Sequence, residues 1–67
     1  MQQTVKDWTG KIIGSLEDKG DRIVAKDFGG RILGHYDKGM NKTFSFEGFI
    51  LMEGDGTMGL IMGAANK

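Results

Sequence analysis

Asp27-Phe28-Gly29-Gly30-Arg31-Ile32-Leu33-Gly34 repeats, with conservative changes, the earlier stretch Asp7-Trp8-Thr9-Gly10-Lys11-Ile12-Ile13-Gly14. A worn third copy follows as Ser45-Phe46-Glu47-Gly48-Phe49-Ile50-Leu51-Met52. In each copy an Asp or Ser stands three residues before a Gly. That spacing specifies a type I turn closed by a glycine in the left-handed region, a three-residue hairpin loop with a bulge. The short polar side chain accepts a bond from the turn backbone, and the glycine takes positive φ at little cost.

Working outward, Glu17-Asp18-Lys19-Gly20, Asp37-Lys38-Gly39-Met40-Asn41 and Glu53-Gly54-Asp55-Gly56 supply turns at the opposite end. The stretches between turns are six or seven residues long and rich in Ile, Val, Phe, Tyr and Thr, as strands are. The expected fold is all-β: an antiparallel meander of about six or seven short strands, forming one domain over residues 1–67. The stretch from Thr57 to Ala65 reads two ways. It is a final strand after a Gly-Asp-Gly hairpin turn, the reading favoured here, or a two-turn helix capped by Thr57 with Met58, Ile61 and Met62 on one side.

Pairing outward from the turns predicts a row of Val5, Ile13, Ala25 and Leu33, flanked by an alternating charged row of Asp7, Lys11, Asp27 and Arg31. On the opposite face it predicts Gly14, Val24, Gly34 and Phe44 together, with the Phe44 ring over the strand glycines. One face would then show Val5, Ile13, Ile23, Leu33, Phe49 and Leu51, and the other Ile12, Val24, Ile32, Phe44 and Ile50. A single sheet cannot bury both. Either it curls into a small barrel or a second chain covers one face, and the shortness of the chain favours the second chain. A homodimer or larger homo-oligomer is therefore expected, with Ile12, Ile32, Phe44 and Ile50 as interface candidates. Met58 and Met62 join them, because methionine adapts to irregular contact surfaces.

Composition supports assembly as a source of stability. At 67 residues the chain lies near the lower limit for independent folding. It has no cysteine, which excludes disulfides and thiolate metal sites, and one histidine, which leaves a zinc site short of ligands. Nine basic residues balance nine acidic ones, so no basic stripe calls for a nucleic-acid backbone. No apolar run approaches the ~20 residues of a membrane span, and the opening residues lack the apolar centre of a signal peptide. A soluble cytoplasmic protein is the expectation. Asn41-Lys42-Thr43 matches a glycosylation sequon, by chance in that setting.

Candidate chemistry is sparse. Gly54-Asp55-Gly56-Thr57-Met58-Gly59 spells the dinucleotide fingerprint, but that site needs a long helix and a second parallel strand, and only eight residues follow Gly59. His35, beside Tyr36 and Asp37, lacks a nucleophile and an orienting partner, and reads as a surface or interface residue. Glu17, Asp18 and Asp21 make an acidic turn without EF-hand spacing. No enzyme activity, cofactor or metal is expected. Trp8 and Phe28 occupy equivalent turn positions. They are expected to pack on the adjacent strand; if exposed, they form an aromatic surface for a saccharide or single-stranded nucleic acid.

The motif Asp-x-x-Gly-(Lys/Arg)-Ile-(Ile/Leu)-Gly, with the later Tyr36-Asp37 and Thr43, resembles a group of short uncharacterised bacterial and phage-associated β-hairpin repeat proteins. It is also similar to the Tyr-Asp hairpin repeats of much longer bacterial surface and toxin proteins. The resemblance spans roughly residues 4–62 and implies hairpins without implying an activity. In the third copy Ser45 replaces Asp, Phe49 replaces Lys or Arg, and Met52 replaces Gly, which marks a specialised end.

Overall fold

A computed structural model describes residues 2–65. Six strands follow one another: β1 (Gln2–Lys6), β2 (Ile12–Asp18), β3 (Arg22–Asp27), β4 (Ile32–Asp37), β5 (Lys42–Ser45) and β6 (Ile50–Glu53). They form one antiparallel sheet in the order β1-β2-β3-β4-β5-β6, followed by one helix, α1 (Thr57–Ala65). The expected meander is present.

The repeat closes its hairpins as its residues dictate. Gly10 N–H donates to the Asp7 carbonyl at 3.0 Å and Asp7 N–H to the Lys11 carbonyl at 2.9 Å. The same two bonds join Gly30, Asp27 and Arg31, and again Gly48, Ser45 and Phe49. The three glycines have φ of 88°, 90° and 96°, the left-handed conformation that a side chain would resist. Asp7 Oδ1 accepts from the N–H groups of Thr9 and Lys11, and Asp27 Oδ1 from those of Gly29 and Arg31.

Each copy then breaks register once more. Lys6 pairs with Ile12 but Val5 with Gly14; Lys26 with Ile32 but Ala25 with Gly34; Phe44 with Ile50 but Thr43 with Met52. Ile13, Leu33 and Leu51 are the extra residues of three equivalent β-bulges. The inserted residue explains why the motif carries two apolar residues in succession. Ile12 and Ile32 stay exposed, while Ile13 joins the core and Leu33 packs against it.

These bulges overturn the expected rows. Ala25 stands between Leu16 and Gly34, not between Ile13 and Leu33. Asp27 faces Gly14, so Lys11 is out of line with it and the alternating row of Asp7, Lys11, Asp27 and Arg31 does not form. Phe44 pairs with His35 and Ile50, not with Gly34, and its ring stacks on His35 at 5.1 Å between centroids and 12° between planes. The alternating charges lie at the far end of the sheet instead, where Arg22, Asp37, Lys42 and Glu53 stand opposite one another in succession.

The favoured strand over Thr57 to Ala65 is a helix. Its start is held by two side chains. Thr43, fully buried on β5, donates its hydroxyl to the Gly54 carbonyl at 2.6 Å and accepts the Gly56 N–H at 2.7 Å. Asp55 Oδ1 accepts the Thr57 N–H at 3.0 Å and the Thr57 hydroxyl at 2.5 Å. With these partners the Gly-Asp-Gly segment turns into a helix rather than into a seventh strand. Ile61 is buried and Leu60 half-buried, whereas Met58 and Met62 face outward, so the expected grouping of Met58, Ile61 and Met62 is split.

The helix lies against β2, β3 and β4 and completes the core of Val5, Ile13, Ala25 and Ile61, with Leu16, Leu33 and Leu60 around it. One sheet face is thus covered by the chain's own C-terminal segment, rather than by a second chain or by curling into a barrel. It sits on a trough of small residues. A Cβ on Gly14 would come 2.8 Å from Ile61 Cγ2, and one on Gly34 2.9 Å from Leu60 Cδ1, with fully buried Ala25 between them. The final glycine of the repeat motif therefore seats the helix. In the third copy Met52 takes that place and packs on Gly56, where the chain turns to begin α1.

Candidate interaction surface

The odd-numbered hairpin turns all lie at one end of the sheet because a meander alternates ends. In all three copies the first loop residue is aromatic, and all three rings project into solvent. Trp8 is 94% exposed, Phe28 81% and Phe46 69%. The expectation that Trp8 and Phe28 pack on neighbouring strands fails, because the tight turn points its first side chain away from the sheet. Neighbouring tips stand two strands apart and are staggered along them, because Asp27 lies level with Gly14 of β2 whereas Asp7 lies level with Lys11. Phe46 escaped attention at the sequence level although its signal was available: it holds the position after the turn Asp or Ser, as Trp8 and Phe28 do. Phe49, also exposed, stands where the other copies have Lys11 and Arg31.

Just behind the tips, on the face opposite the helix, lie Ile12, Ile32 and Ile50, one per repeat, at 52%, 45% and 54% exposure. The four sheet candidates Ile12, Ile32, Phe44 and Ile50 do share this face, with Phe44 half-buried in its stack on His35. Met58 and Met62 do not. They belong to the helix, on the other side of the sheet.

Met62 instead lines a groove together with the first two aromatic tips. This groove of about 630 Å³ runs between the first two tips and the end of the helix, lined by Trp8, Phe28, Met62, Ile12, Asp7 and Lys11 among others. Its walls are aromatic and aliphatic, and its polar groups are one ammonium and the turn carboxylates. That mixture suits a ligand with apolar faces and hydroxyl edges.

The opposite end of the molecule is ionic. Lys38 Nζ lies 2.9 Å from Asp18 Oδ2 and Arg22 pairs with Asp21 at 3.3 Å, while Lys26, next to the second tip turn, reaches back along the open face to Glu17 at 3.1 Å. These contacts hold carboxyls below their ordinary pKa: Glu17 through the Lys26 ammonium, Asp18 through the Gly20 N–H and then Lys38, and Asp21 through Arg22. Arg22 is raised by the same Asp21 contact. At the aromatic end the Thr9 hydroxyl does this for Asp7, helped by the backbone N–H groups of the loop. All are solvent-exposed pairs, which orient side chains more than they stabilise the fold.

The remaining motifs gain no chemistry from the fold. His35 is occupied by Phe44. Gly56 and Thr57, inside the dinucleotide-like string, already give their N–H groups to Thr43 and Asp55, and no second parallel strand follows among the described residues. Among the described residues no three His, Asp or Glu side chains converge as a metal site. No helix among them is long and apolar enough to cross a membrane. No family model, curated protein or solved structure matches the chain.

Proposed function

We propose that the chain is a small structural or protein-interaction module that self-associates through the sheet face its helix leaves open. One observation carries this reading: Ile12, Ile32 and Ile50 recur at one equivalent position per repeat, half-exposed, on the uncovered face. Completing the burial of a half-exposed isoleucine is worth about 1 kcal/mol, so the three from each of two copies contribute about 6 kcal/mol together. Association must also offset at least ~4 kcal/mol of lost translational and rotational freedom. Phe44 and the aliphatic stem of Lys26 on the same face add to the apolar side, and the outcome is weak, concentration-dependent assembly. Sedimentation velocity across the micromolar range tests it. A concentration-dependent shift that Ile32→Lys abolishes is expected, and a folded monomer at every concentration overturns the reading. It assigns no catalytic residue and no cofactor.

A second reading has its own support in the exposure of Trp8 and Phe28 and the groove between them. Here the protein binds a saccharide or single-stranded nucleic acid by stacking. The near-balance of Asp7, Asp27, Lys11 and Arg31 at that end favours the uncharged ligand over the phosphate-bearing one. Trp8 fluorescence reads this directly: oligosaccharides that leave it unchanged remove the reading.

A further inference from the structure

The two edges of the sheet are unlike. Among the described residues β1 and β6 each pair on one side only, and neither contains proline. An unpaired edge offers its backbone groups to another strand unless something spoils their spacing. On β6 two things do. Leu51 is an extra residue, which breaks the two-residue rhythm of the outward groups. Past Glu53 the chain leaves the sheet, with the Gly54 and Gly56 N–H groups already held by Asn41 and Thr43. Neither defect affects β1. Asp7 turns both its N–H and its carbonyl toward β2, to Lys11 and Gly10. The first bulge adds its residue, Ile13, to β2, so β1 alternates without a break. Val5 and Gln3 therefore also bond β2, and the N–H and C=O groups of Lys6, Thr4 and Gln2 point out of the sheet.

We infer that β1 pairs antiparallel with β1 of a second copy about a two-fold axis at Thr4, with Thr4 opposite Thr4 and Gln2 opposite Lys6. This register brings all five residues of the strand into the ladder. Each opposed pair of outward residues then exchanges two N–H···O=C bonds, as an antiparallel ladder requires. Nothing in the fold competes for them. The helix lies over β2, β3 and β4, and Gln2, Gln3, Thr4 and Lys6 are exposed. Side chains select the same register. Centred on Lys6, the pairing would set two ammonium groups face to face; centred on Gln2, it would leave Thr4, Val5 and Lys6 without described partners. Centred on Thr4, it keeps the two lysines about 14 Å apart along the strands. Threonine then faces threonine, a favourable cross-strand pair. A lysine on an edge strand ordinarily deters a further strand, but Lys6 stands at the end of β1 and meets only the Gln2 amide. The contact is isologous and closes at two copies. Its axis is normal to the sheet, so both helices lie on one side and the two open faces become one continuous surface. It uses the edge of the sheet and does not rest on how the open face is covered.

The test is a single cysteine. The chain has none of its own, and opposed residues that exchange both bonds have Cα atoms about 5.5 Å apart, within disulfide reach. A ladder of this length is a weak contact, which a covalent trap reads better than sedimentation does. Thr4→Cys, oxidised under mild conditions at high protein concentration, should run as a covalent dimer on a non-reducing gel. Lys6→Cys, also exposed, should stay monomeric because its two copies stand too far apart, yet should cross-link when mixed with Gln2→Cys. Circular dichroism establishes that each variant is folded. Adding Thr4→Pro to both chains of that mixture removes an N–H that points outward and leaves the β1–β2 ladder intact. It should lower the yield of cross-linked product on the order of tenfold. A folded Thr4→Cys variant that stays monomeric overturns the inference, as does equal dimerisation of Lys6→Cys alone. The Thr4→Cys dimer should persist in the Ile32→Lys background, whose β1 is intact, so failure of the open-face reading leaves this one standing.

Discussion

Ile61 packs directly onto Gly14, so closely that its Cγ2 atom lies 2.8 Å from where a Cβ on Gly14 would stand. The same hypothetical atom would press on the Lys26 carbonyl oxygen, which belongs to the backbone and cannot swing away. Gly14→Ala should therefore destabilise by about 2–3 kcal/mol, and Gly34→Ala, crowded by Leu60 and the Phe44 carbonyl, by a similar amount. Gly59→Ala is the contrasting case: its site in the helix is open, and alanine there should stabilise by about 0.5–1 kcal/mol. Urea denaturation of the three variants decides whether the motif glycine seats the helix.

Thr43 joins the sheet to the start of the helix, since one buried hydroxyl both donates to Gly54 and accepts from Gly56. Thr43→Val keeps the shape and leaves a carbonyl and an N–H without those partners. The expected loss is about 2–3 kcal/mol, a large fraction of the total for a domain of this size. Chemical denaturation monitored at a helix-sensitive far-ultraviolet wavelength measures it.

Removing the side chain of Ile61 tests the core itself. Ile61→Ala leaves a cavity among Val5, Ile13 and Ala25 and should cost about 2–4 kcal/mol. In a protein of this length that approaches the whole stability. The thermal transition should broaden or vanish at room temperature.

Acid should weaken the fold in a defined direction. The carboxyls of Asp7, Glu17, Asp18 and Asp21 are held below their ordinary values in the native state. Their contribution is complete above the unfolded-state pKa near 4 and disappears as pH falls through the lower native values. Stability measured in urea should be level from pH 7 to about pH 5 and decline below about pH 4. Asp7→Asn, which keeps an oxygen for the turn, should flatten part of that decline.

Trp8 should behave as an indole in water. Its emission should be fully quenched by acrylamide in the folded protein, and Trp8→Ala should alter stability by no more than about 0.5 kcal/mol. A buried, protected emission would contradict the placement of the aromatic tips.

The hairpins were legible because their chemistry is local: Asp7, Asp27 and Ser45 bond the loop that follows, and Gly10, Gly30 and Gly48 supply the left-handed residue. The register was not, because Ile13 and Leu33 each add one residue to one strand. Alternation cannot say which residue of the pair is inserted, since Ile12 and Ile32 before the bulge are apolar as well and the Gly14 and Gly34 after it carry no side chain. The helix was hidden for a different reason. What starts it is Thr43, fourteen residues before Thr57, and no window around Thr57 contains it. The shared face of Ile12, Ile32, Phe44 and Ile50 was readable from strand alternation. The outward direction of Trp8 and Phe28 was decided by turn geometry, which hydrophobicity alone misjudges.

The width of the helix also limits how far the repeat can multiply within one chain. A helix is about 10 Å across, roughly two inter-strand spacings, and so roofs about three strands, as α1 does over β2, β3 and β4. A descendant with a fourth copy would gain two more strands and no shelter for them. Lengthening this architecture by gene duplication therefore requires a new covering element with each addition, whereas adding separate chains brings one helix with every six strands.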